Sequence, residues 1–277
     1  MAYSNFKPQV WAKAIERARD ELCIGVNLCN RSYEKDTGDY GKSVIINWTK
    51  RPTVKNYTIG TNIDAAETLD GSTSSTLNID QLKYVNFLVD DVDELQSAPD
   101  IMAGCMQEAA AAIAADADKF IYNLYASAGK TITNATVNSA NITGIISDAA
   151  KALYESNVPM NEELCLEVSP ALYQKLWLAK VLRETPNDGS FGTGFVGMFD
   201  NFKVYMTNGI VKDEAGAYYC YARTKKAIAF IGQMRKMESY RPQGLFADAV
   251  KGLHVYGATV VRPNELITLK LTPVSEA

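Results

Sequence analysis

The chain has 277 residues, of which 47% are hydrophobic and 22% charged, so it can bury a sizeable core, and these values exclude disorder over most of its length. Its net charge of -4 at pH 7 lacks the basic excess that is typical of proteins that wrap nucleic acid, so any contact with DNA is expected to be loose and non-specific. The sequence has no signal-type or membrane-spanning apolar stretch, which predicts a soluble protein made in a cytoplasm.

The charges are arranged in blocks along the chain. Residues 1–55 carry net +4, residues 56–122 net -10, residues 123–220 net -3 and residues 221–277 net +5. Blocks of opposite sign can set the register between chains that meet in an assembly. Solvated faces of a monomer would give the same pattern, and this alternative stays open.

The first predicted element is a helix over residues 8–22. Its apolar residues recur at helical spacing, and Pro8 stands near the start, where proline is tolerated. The apolar positions are Val10, Trp11, Ile15, Ala18 and Leu22.

An extended region follows the helix. Residues 43–48 and 76–89 are β-prone, with alternation in the second stretch at Leu77, Ile79 and Val85. The 27 residues between them are too many for a compact loop. Paired as a two-stranded arm, each limb would extend about 40 Å at roughly 3.3 Å per residue. An isolated ribbon is at best marginally stable, so we expect it to lie on a neighbouring subunit; a flexible insertion is the alternative.

The clearest element is a long helix from about Ser97 to about Ala128. Ser97, Pro99 and Asp100 form a typical helix start, and Gly129 is expected to end the helix. A helical core of about 28 residues at 1.5 Å each would be a rod about 42 Å long. Its apolar stripe predicts core packing and consists of Met102, Met106, Ala109, Ile113, Ala117, Phe120 and Leu124.

The remaining sequence predicts a compact α/β lobe over residues 140–235 and a return to strands over residues 236–277. The predicted elements of the lobe are helices at 142–156 and 170–182, a mobile loop at 185–197, and strands at 164–168, 202–206, 217–222 and 227–231. Two further strands, 253–261 and 266–271, flank Arg262-Pro263-Asn264-Glu265, which has the residues of a hairpin turn.

No group of residues predicts an active site. His254 is the sole histidine and lies in an alternating strand, which favours a structural role over a catalytic triad. The acidic run at 90–94 lacks the spacing of a calcium loop, and the glycine-rich run at 189–197 lacks the Lys-Ser/Thr ending of a phosphate-binding loop. The five cysteines form no CxxC pair and indicate buried, reduced thiols. We therefore predict no enzyme activity, no catalytic residue, no cofactor and no metal.

Three stretches of the sequence resemble one known family. Residues 76–96, residues 194–210 and residues 239–263, the last with Ser-Tyr-Arg-Pro-Gln and Gly-Leu-His-Val-Tyr-Gly-Ala-Thr-Val-Val-Arg-Pro, are similar to segments of the major capsid proteins of tailed double-stranded-DNA bacteriophages. The order of the predicted elements also resembles the Hong Kong 97-type capsid fold of that family.

The resemblance implies an α+β fold with named parts. These are an N-arm at residues 1–40, an extended E-loop β-arm at 41–89, a peripheral domain with a spine helix at 90–139, an α/β axial domain at 140–235, and a return to the peripheral domain at 236–277. It also implies hexamers and pentamers that close an icosahedral head around double-stranded DNA. The protein would then be found in the virion after assembly in the cytoplasm of the host bacterium.

Partners and contacts follow from the same resemblance. The chain is expected to bind itself, a separate scaffolding protein, a portal protein and, in some heads, a decoration protein, with no membrane contact. No large N-terminal cleavage and no Lys-Asn cross-links between subunits are expected. The residues predicted to contact neighbouring subunits are Lys50, Arg51, Lys55, Tyr57, Asp64, Glu67, Phe191 and Phe195.

Three other functions are compatible with parts of the sequence. An encapsulin-like nanocompartment shell would share the fold but enclose an enzyme cargo. An enzyme would use the acidic run near Asp90. A phage tail-tube protein is disfavoured by the long capped helix.

Overall fold

The computed structural model describes residues 23–36, 42–48, 52–63, 65, 73–90, 101–180 and 194–275. Within these residues the chain forms three β-sheets and three α-helices, an α+β architecture as the sequence predicts. The predicted helix at 8–22, the start of the long helix at Ser97 and residues 185–193 of the predicted loop at 185–197 lie outside the described residues. The end of that loop prediction is wrong, because residues 195–197 belong to a strand, Phe195–Phe199.

A mixed six-stranded sheet forms the main layer. Its core strand β5 (Leu164–Val168) is buried at all five positions, as expected for a short apolar run in a covered sheet. In spatial order the strands are β4 (Lys130–Val137), β11 (Leu266–Pro273), β8 (Tyr218–Thr224), β5, β7 (Phe202–Met206) and β6 (Phe195–Phe199).

Two helices pack on this sheet. Helix α2 (Ile142–Glu155) buries one stripe that includes Ile142, Ile146 and Leu153, which are spaced so that they share one helical face. Helix α3 (Pro170–Leu178) begins with proline in its first turn and ends four residues earlier than predicted. Both helices contribute to the largest hydrophobic core.

A second sheet of three antiparallel strands lies beside the long helix. Its order is β3 (Gln81–Asp90), β10 (Ala247–Val260) and β9 (Ile228–Tyr240). Val89 and Val250 pack against Ala110 and Ile113 of the long helix α1 (Ile101–Tyr122) to form a separate core cluster. A 3-10 helix, Asn123–Ser127, continues α1. The helix is thus described over 22 residues, about 33 Å at 1.5 Å per residue.

The predicted stripe of the long helix faces the core. Ile113 and Ala117 are buried, and Met106, Ala109, Phe120 and Leu124 are partly buried; the side chain of Met102 lies outside the described residues. Gly129, however, is not a left-handed cap. Its N–H donates to the Pro263 carbonyl at 2.9 Å, and a Cβ atom there would come within 2.5 Å of the same oxygen, so close backbone approach explains the glycine.

The segment predicted as a two-stranded arm is paired at its base, and the described residues 52–63 beyond the base form no strand. We call residues 43–78 the arm. Strands β1 (Ser43–Trp48) and β2 (Thr73–Asn78) pair antiparallel from Ser43–Asn78 to Trp48–Thr73, which leaves residues 49–72 at the far end. The single stretch predicted at 76–89 is two strands, because the chain changes sheets at Ile79 and Asp80.

The predicted hairpin around Pro263 is wrong. Strand β10 pairs with β3 and β9, whereas β11 pairs with β4 and β8, so the two strands belong to different sheets. The residues between them form a 3-10 turn, Pro263–Glu265, that carries the chain from one sheet to the other. The turn residues were identified correctly, but local chemistry does not specify which strands pair.

Strands from distant parts of the sequence share the main sheet. β4 and β11 come from segments predicted as peripheral, yet they belong to the same sheet as the strands of the predicted axial domain, and β11 pairs directly with β8. The division of the chain at residues 139 and 236 therefore stays a prediction, and the sheet is continuous across it.

Candidate subunit-contact surfaces

The arm carries apolar side chains that contact no core. Val54, Ile59 and Ile63 are 95%, 92% and 80% exposed, and Tyr57 is 65% exposed. Exposed apolar side chains scattered singly are ordinary, but four within ten residues of an unpaired segment offer apolar surface that a partner can cover.

Three of the predicted contact residues can be located. Lys55 and Tyr57 are exposed on the arm. Phe195 is partly buried in the edge strand β6, where its ring packs edge-on against Tyr205 at 5.6 Å between ring centres. The other predicted contacts lie outside the described residues; they are Lys50, Arg51, Asp64, Glu67 and Phe191.

The base of the arm is fixed to the body of the subunit. Ile46 and Leu77 are buried against Ala229, Ile231 and Val261. The end of β2 also crosses β10 so closely that a Cβ atom on Gly257 would lie 2.0 Å from the Asn78 carbonyl oxygen. The arm therefore has a rigid base and an exposed end.

The three-stranded sheet presents a second apolar surface. Alternation along β3 turns Val85, Phe87 and Val89 towards α1, and Leu82, Tyr84 and Leu88 away from it. These last three side chains are 66%, 78% and 55% exposed. Sequence reasoning did not single them out, although the alternating run predicted one outward-facing row.

Charged residues flank this outward face. Lys251 lies between the Glu238 carboxylate, at 2.9 Å, and the Tyr240 ring, at 5.3 Å from its centre. Hydrogen bonds from Lys236 and Lys251 lower the pKa of Glu238 to about 2. The face is therefore mixed aromatic and charged, which is the composition of many protein–protein contacts.

A third exposed apolar site lies at the turn between β9 and β10. Leu245 and Phe246 are largely exposed there, and Gly244 adopts the left-handed conformation that the turn requires. The Arg241–Asp248 ion pair, at 2.9 Å, joins the two strands behind the turn.

A buried polar network fixes the first described segment of the chain, residues 23–29. The Arg223 Nε atom donates to Glu167 at 2.6 Å, and both side chains are fully buried. The Tyr122 hydroxyl donates to the second Glu167 oxygen at 2.6 Å. The two terminal nitrogens of Arg223 donate to the carbonyls of Leu28, at 2.7 Å, and Gly25, at 3.2 Å.

Asp118 holds the same segment from the other side. Its carboxylate accepts the backbone N–H groups of Ile24, at 2.8 Å, and Val26, at 3.0 Å. Burial raises the pKa of Asp118, while these N–H groups act in the opposite direction. We call Asp118, Tyr122, Glu167 and Arg223 the N-terminal clamp. Sequence reasoning missed this cluster, and the one signal that could have pointed to it is the glutamate, Glu167, within the apolar strand 164–168.

The described residues contain little that could support catalysis. His254 is buried and stacks on Tyr256 at 4.9 Å between ring centres, in agreement with its predicted structural role. Burial raises the pKa of Cys29 to about 11 and those of Cys165 and Cys220 to about 12, so these thiols are poor nucleophiles. Of the acidic run at 90–94, Asp90 alone is described, at the end of β3.

No group of three or more His, Cys, Asp or Glu side chains among the described residues could hold a metal ion. No helix there has the length and apolar character needed to cross a membrane.

Comparisons with known proteins point to one family. A family model described as phage capsid protein matches residues 83–269, which is more than half of the chain. No curated protein sequence gives a significant match.

Solved structures share the fold over most of their length. A structure from Mycobacterium phage Che8 is 28% identical with a TM-score of 0.71, and the match covers 89% of this chain and 90% of that one. The capsid of Ralstonia phage GP4 is 12% identical with a TM-score of 0.69, over 93% and 91% of the two chains. A virus-like particle from Pyrococcus furiosus is 13% identical with a TM-score of 0.60, over 95% and 98%, and this likeness shows the fold alone.

The nanocompartment alternative therefore has weaker support than the phage one. With the family model spanning residues 83–269 and the phage structures sharing the fold over most of the chain, this chain belongs to the phage capsid protein family, has the Hong Kong 97-type fold and is a structural subunit of an icosahedral phage shell.

Proposed function

We propose that this chain assembles with itself into hexamers and pentamers that close a phage head around double-stranded DNA, and that it does so without catalysis. The observation that carries the proposal is the arm with a fixed base and an exposed apolar end. Such an arm gains stability when its apolar residues are covered, at roughly 25 cal/mol for each Å² removed from water.

The cover for the arm should come from a neighbouring subunit. Strands β2 and β3 follow each other in sequence but belong to different sheets, so the arm is not a continuation of the sheet of its own subunit. A second copy offers the outward face of that sheet, with Leu82, Tyr84 and Leu88 exposed. Contact between two incomplete apolar surfaces would join subunits in a closed shell.

The named parts of the family apply here as a proposal. The arm would be the E-loop, α1 would be the spine helix, and the segment around 185–197 would meet its copies near the centre of each capsomer. A scaffolding protein, a portal protein and possible decoration proteins would act during assembly in the host cytoplasm. Contact with DNA would be non-specific, in keeping with the net charge of -4.

Substitution at the arm tests this function. In the double variant Ile59→Asp, Ile63→Asp we expect shell formation to be lost, because two charges replace apolar groups that a neighbour must bury. Both side chains are exposed in the subunit, so its free energy of unfolding should stay within about 0.5 kcal/mol of the original value. Electron microscopy and sedimentation measure shell formation, and thermal unfolding measures the stability of the subunit.

The matched control is Thr58→Asp, Asn62→Asp. It places the same charge change on exposed polar neighbours in the same arm. We expect this variant to form shells. Normal shells from the Ile59, Ile63 variant, or equal loss in both variants, would show that apolar burial of the arm does not drive assembly.

The contents of purified particles distinguish the two shell functions. Packaged DNA supports the phage head, whereas a protein cargo without DNA supports the nanocompartment. The ratio of absorbance at 260 and 280 nm, followed by mass spectrometry of the particle proteins, makes the measurement.

A further inference from the structure

A groove of about 630 Å³ runs between the second half of α1 and the loop at residues 207–212. We call it the α1 groove. It has no role in the arm contact described above. Most of its wall is apolar and built from small or branched side chains, namely Ile24, Ala111, Ala114, Ala115, Ile210 and Val211.

The chain itself leads into this groove. Ile24 is part of the wall, and the N-terminal clamp fixes its position through the Asp118 carboxylate. Cys23, one residue earlier, is buried with its sulfur 3.9 Å from the Ala114 carbonyl oxygen. The described part of the chain therefore begins against α1, next to the wall of the groove.

The sequence before Cys23 has the character of an occupant. Residues 8–22 predict an amphipathic helix of about 22 Å, and its apolar stripe requires an apolar partner surface. Ala111, Ala114 and Ala115 of α1 line the groove, and such small side chains allow a second helix to approach closely.

Charge complementarity supports the same pairing. Asp20 and Glu21 come directly before the clamped segment. Lys119 and Lys212 line the groove that begins at Ile24. Opposite charges at the point of entry favour this segment over one that approaches from elsewhere.

We propose that the α1 groove is the docking site for residues 8–22 of the same chain, with their apolar stripe turned towards the alanines of α1. The clamp then serves to position this segment at the entrance of the groove. The same segment from a second copy is the competing occupant.

Filling the groove tests the proposal on dispersed full-length subunits. Ala115→Trp places a large side chain in the groove, whereas Ala112→Trp places the same side chain at an exposed position of the same helix that does not line it. Trypsin cleavage after Lys13, Arg17 and Arg19, followed by mass spectrometry of the N-terminal fragments, reports whether the segment is docked. We expect slow cleavage in the original chain and in Ala112→Trp, and cleavage about tenfold faster in Ala115→Trp.

Dilution identifies the occupant. Docking within one chain does not depend on concentration, so the cleavage rate should stay the same over a hundredfold dilution of subunits. Faster cleavage on dilution would assign the groove to a second copy and overturn the proposal. Equal cleavage rates in both tryptophan variants would also overturn it. Because the subunits are dispersed, either failure leaves the shell function unaffected.

Discussion

At the scale of single residues, the pair Arg223–Glu167 shows how a charged group is retained inside this fold. Removing two charges from water costs several kcal/mol per ion, and the cost is offset only when geometry and hydrogen bonds are good. Here both Glu167 oxygens accept hydrogen bonds, from Arg223 and Tyr122, and Arg223 also donates to two backbone carbonyls. The main effect of the Arg223–Glu167 pair is therefore to fix the position of the segment at 24–28, and its net contribution to the stability of the fold is small.

Removing the charge of Glu167 tests this interpretation. In Glu167→Gln we expect the free energy of unfolding to fall by about 3–5 kcal/mol, because Arg223 keeps its charge in a buried site without a counterion. Glu155→Gln is the control, since its ion pair with Lys151 is mostly exposed and its loss should cost less than about 1 kcal/mol. Unfolding in guanidinium chloride measures the free energy of unfolding of both variants. Equal losses of stability in Glu167→Gln and Glu155→Gln would contradict the view that Arg223 depends on Glu167 as its buried counterion.

At the scale of elements, the junction between the arm and the three-stranded sheet depends on one glycine. The sequence predicted the extended segments, since β-propensity and alternation are local properties. The strands pair over six residues each, about 20 Å, and not along limbs of about 40 Å. It did not predict the crossing of β2 over β10, because Gly257 and Asn78 are distant in sequence and their contact follows from strand pairing.

Substitution of this glycine should loosen the base of the arm. In Gly257→Ala we expect the free energy of unfolding to fall by about 1–3 kcal/mol, because a Cβ atom would overlap the Asn78 carbonyl and the strands must shift. Proteolysis between residues 49 and 72 should accelerate as the base detaches.

The matched control for this prediction is Gly144→Ala in α2. A Cβ atom there meets nothing within 4 Å, and alanine in a helix should add about 0.5–1 kcal/mol of stability. If the explanation is correct, chemical unfolding will show a lower free energy of unfolding for Gly257→Ala and a higher one for Gly144→Ala. A neutral Gly257→Ala variant would contradict it.

At the scale of the whole molecule, apolar surface and charge are both distributed for assembly. The arm, the outward face of the three-stranded sheet and the turn at Leu245 and Phe246 expose apolar side chains in three separate places. The charge blocks, from net -10 at residues 56–122 to net +5 at residues 221–277, can orient the subunits as these surfaces meet.

Salt should therefore slow assembly. Raising the ionic strength shortens the screening length from about 10 Å at 0.1 M to about 3 Å at 1 M, which weakens attraction between opposite blocks during encounter. We expect the initial rate of shell formation, followed by light scattering, to fall several-fold over this range, with thermal unfolding of the subunit as the control for stability. A constant or rising rate of shell formation would indicate that the charge blocks are solvated surfaces and that apolar contacts alone drive association.

The sequence by itself determined the long helix with its apolar stripe and most of the strands, though not β4 or β6, because regular elements depend on spacing and propensity along the chain. The tertiary structure decided which strands pair, that β10 and β11 separate into two sheets, and that Asp118, Glu167 and Arg223 converge on the segment at 24–28. The physical reason is the same throughout. Periodicity is set by neighbours along the chain, whereas sheet order and a buried ion pair are set by groups that meet only when remote segments pack.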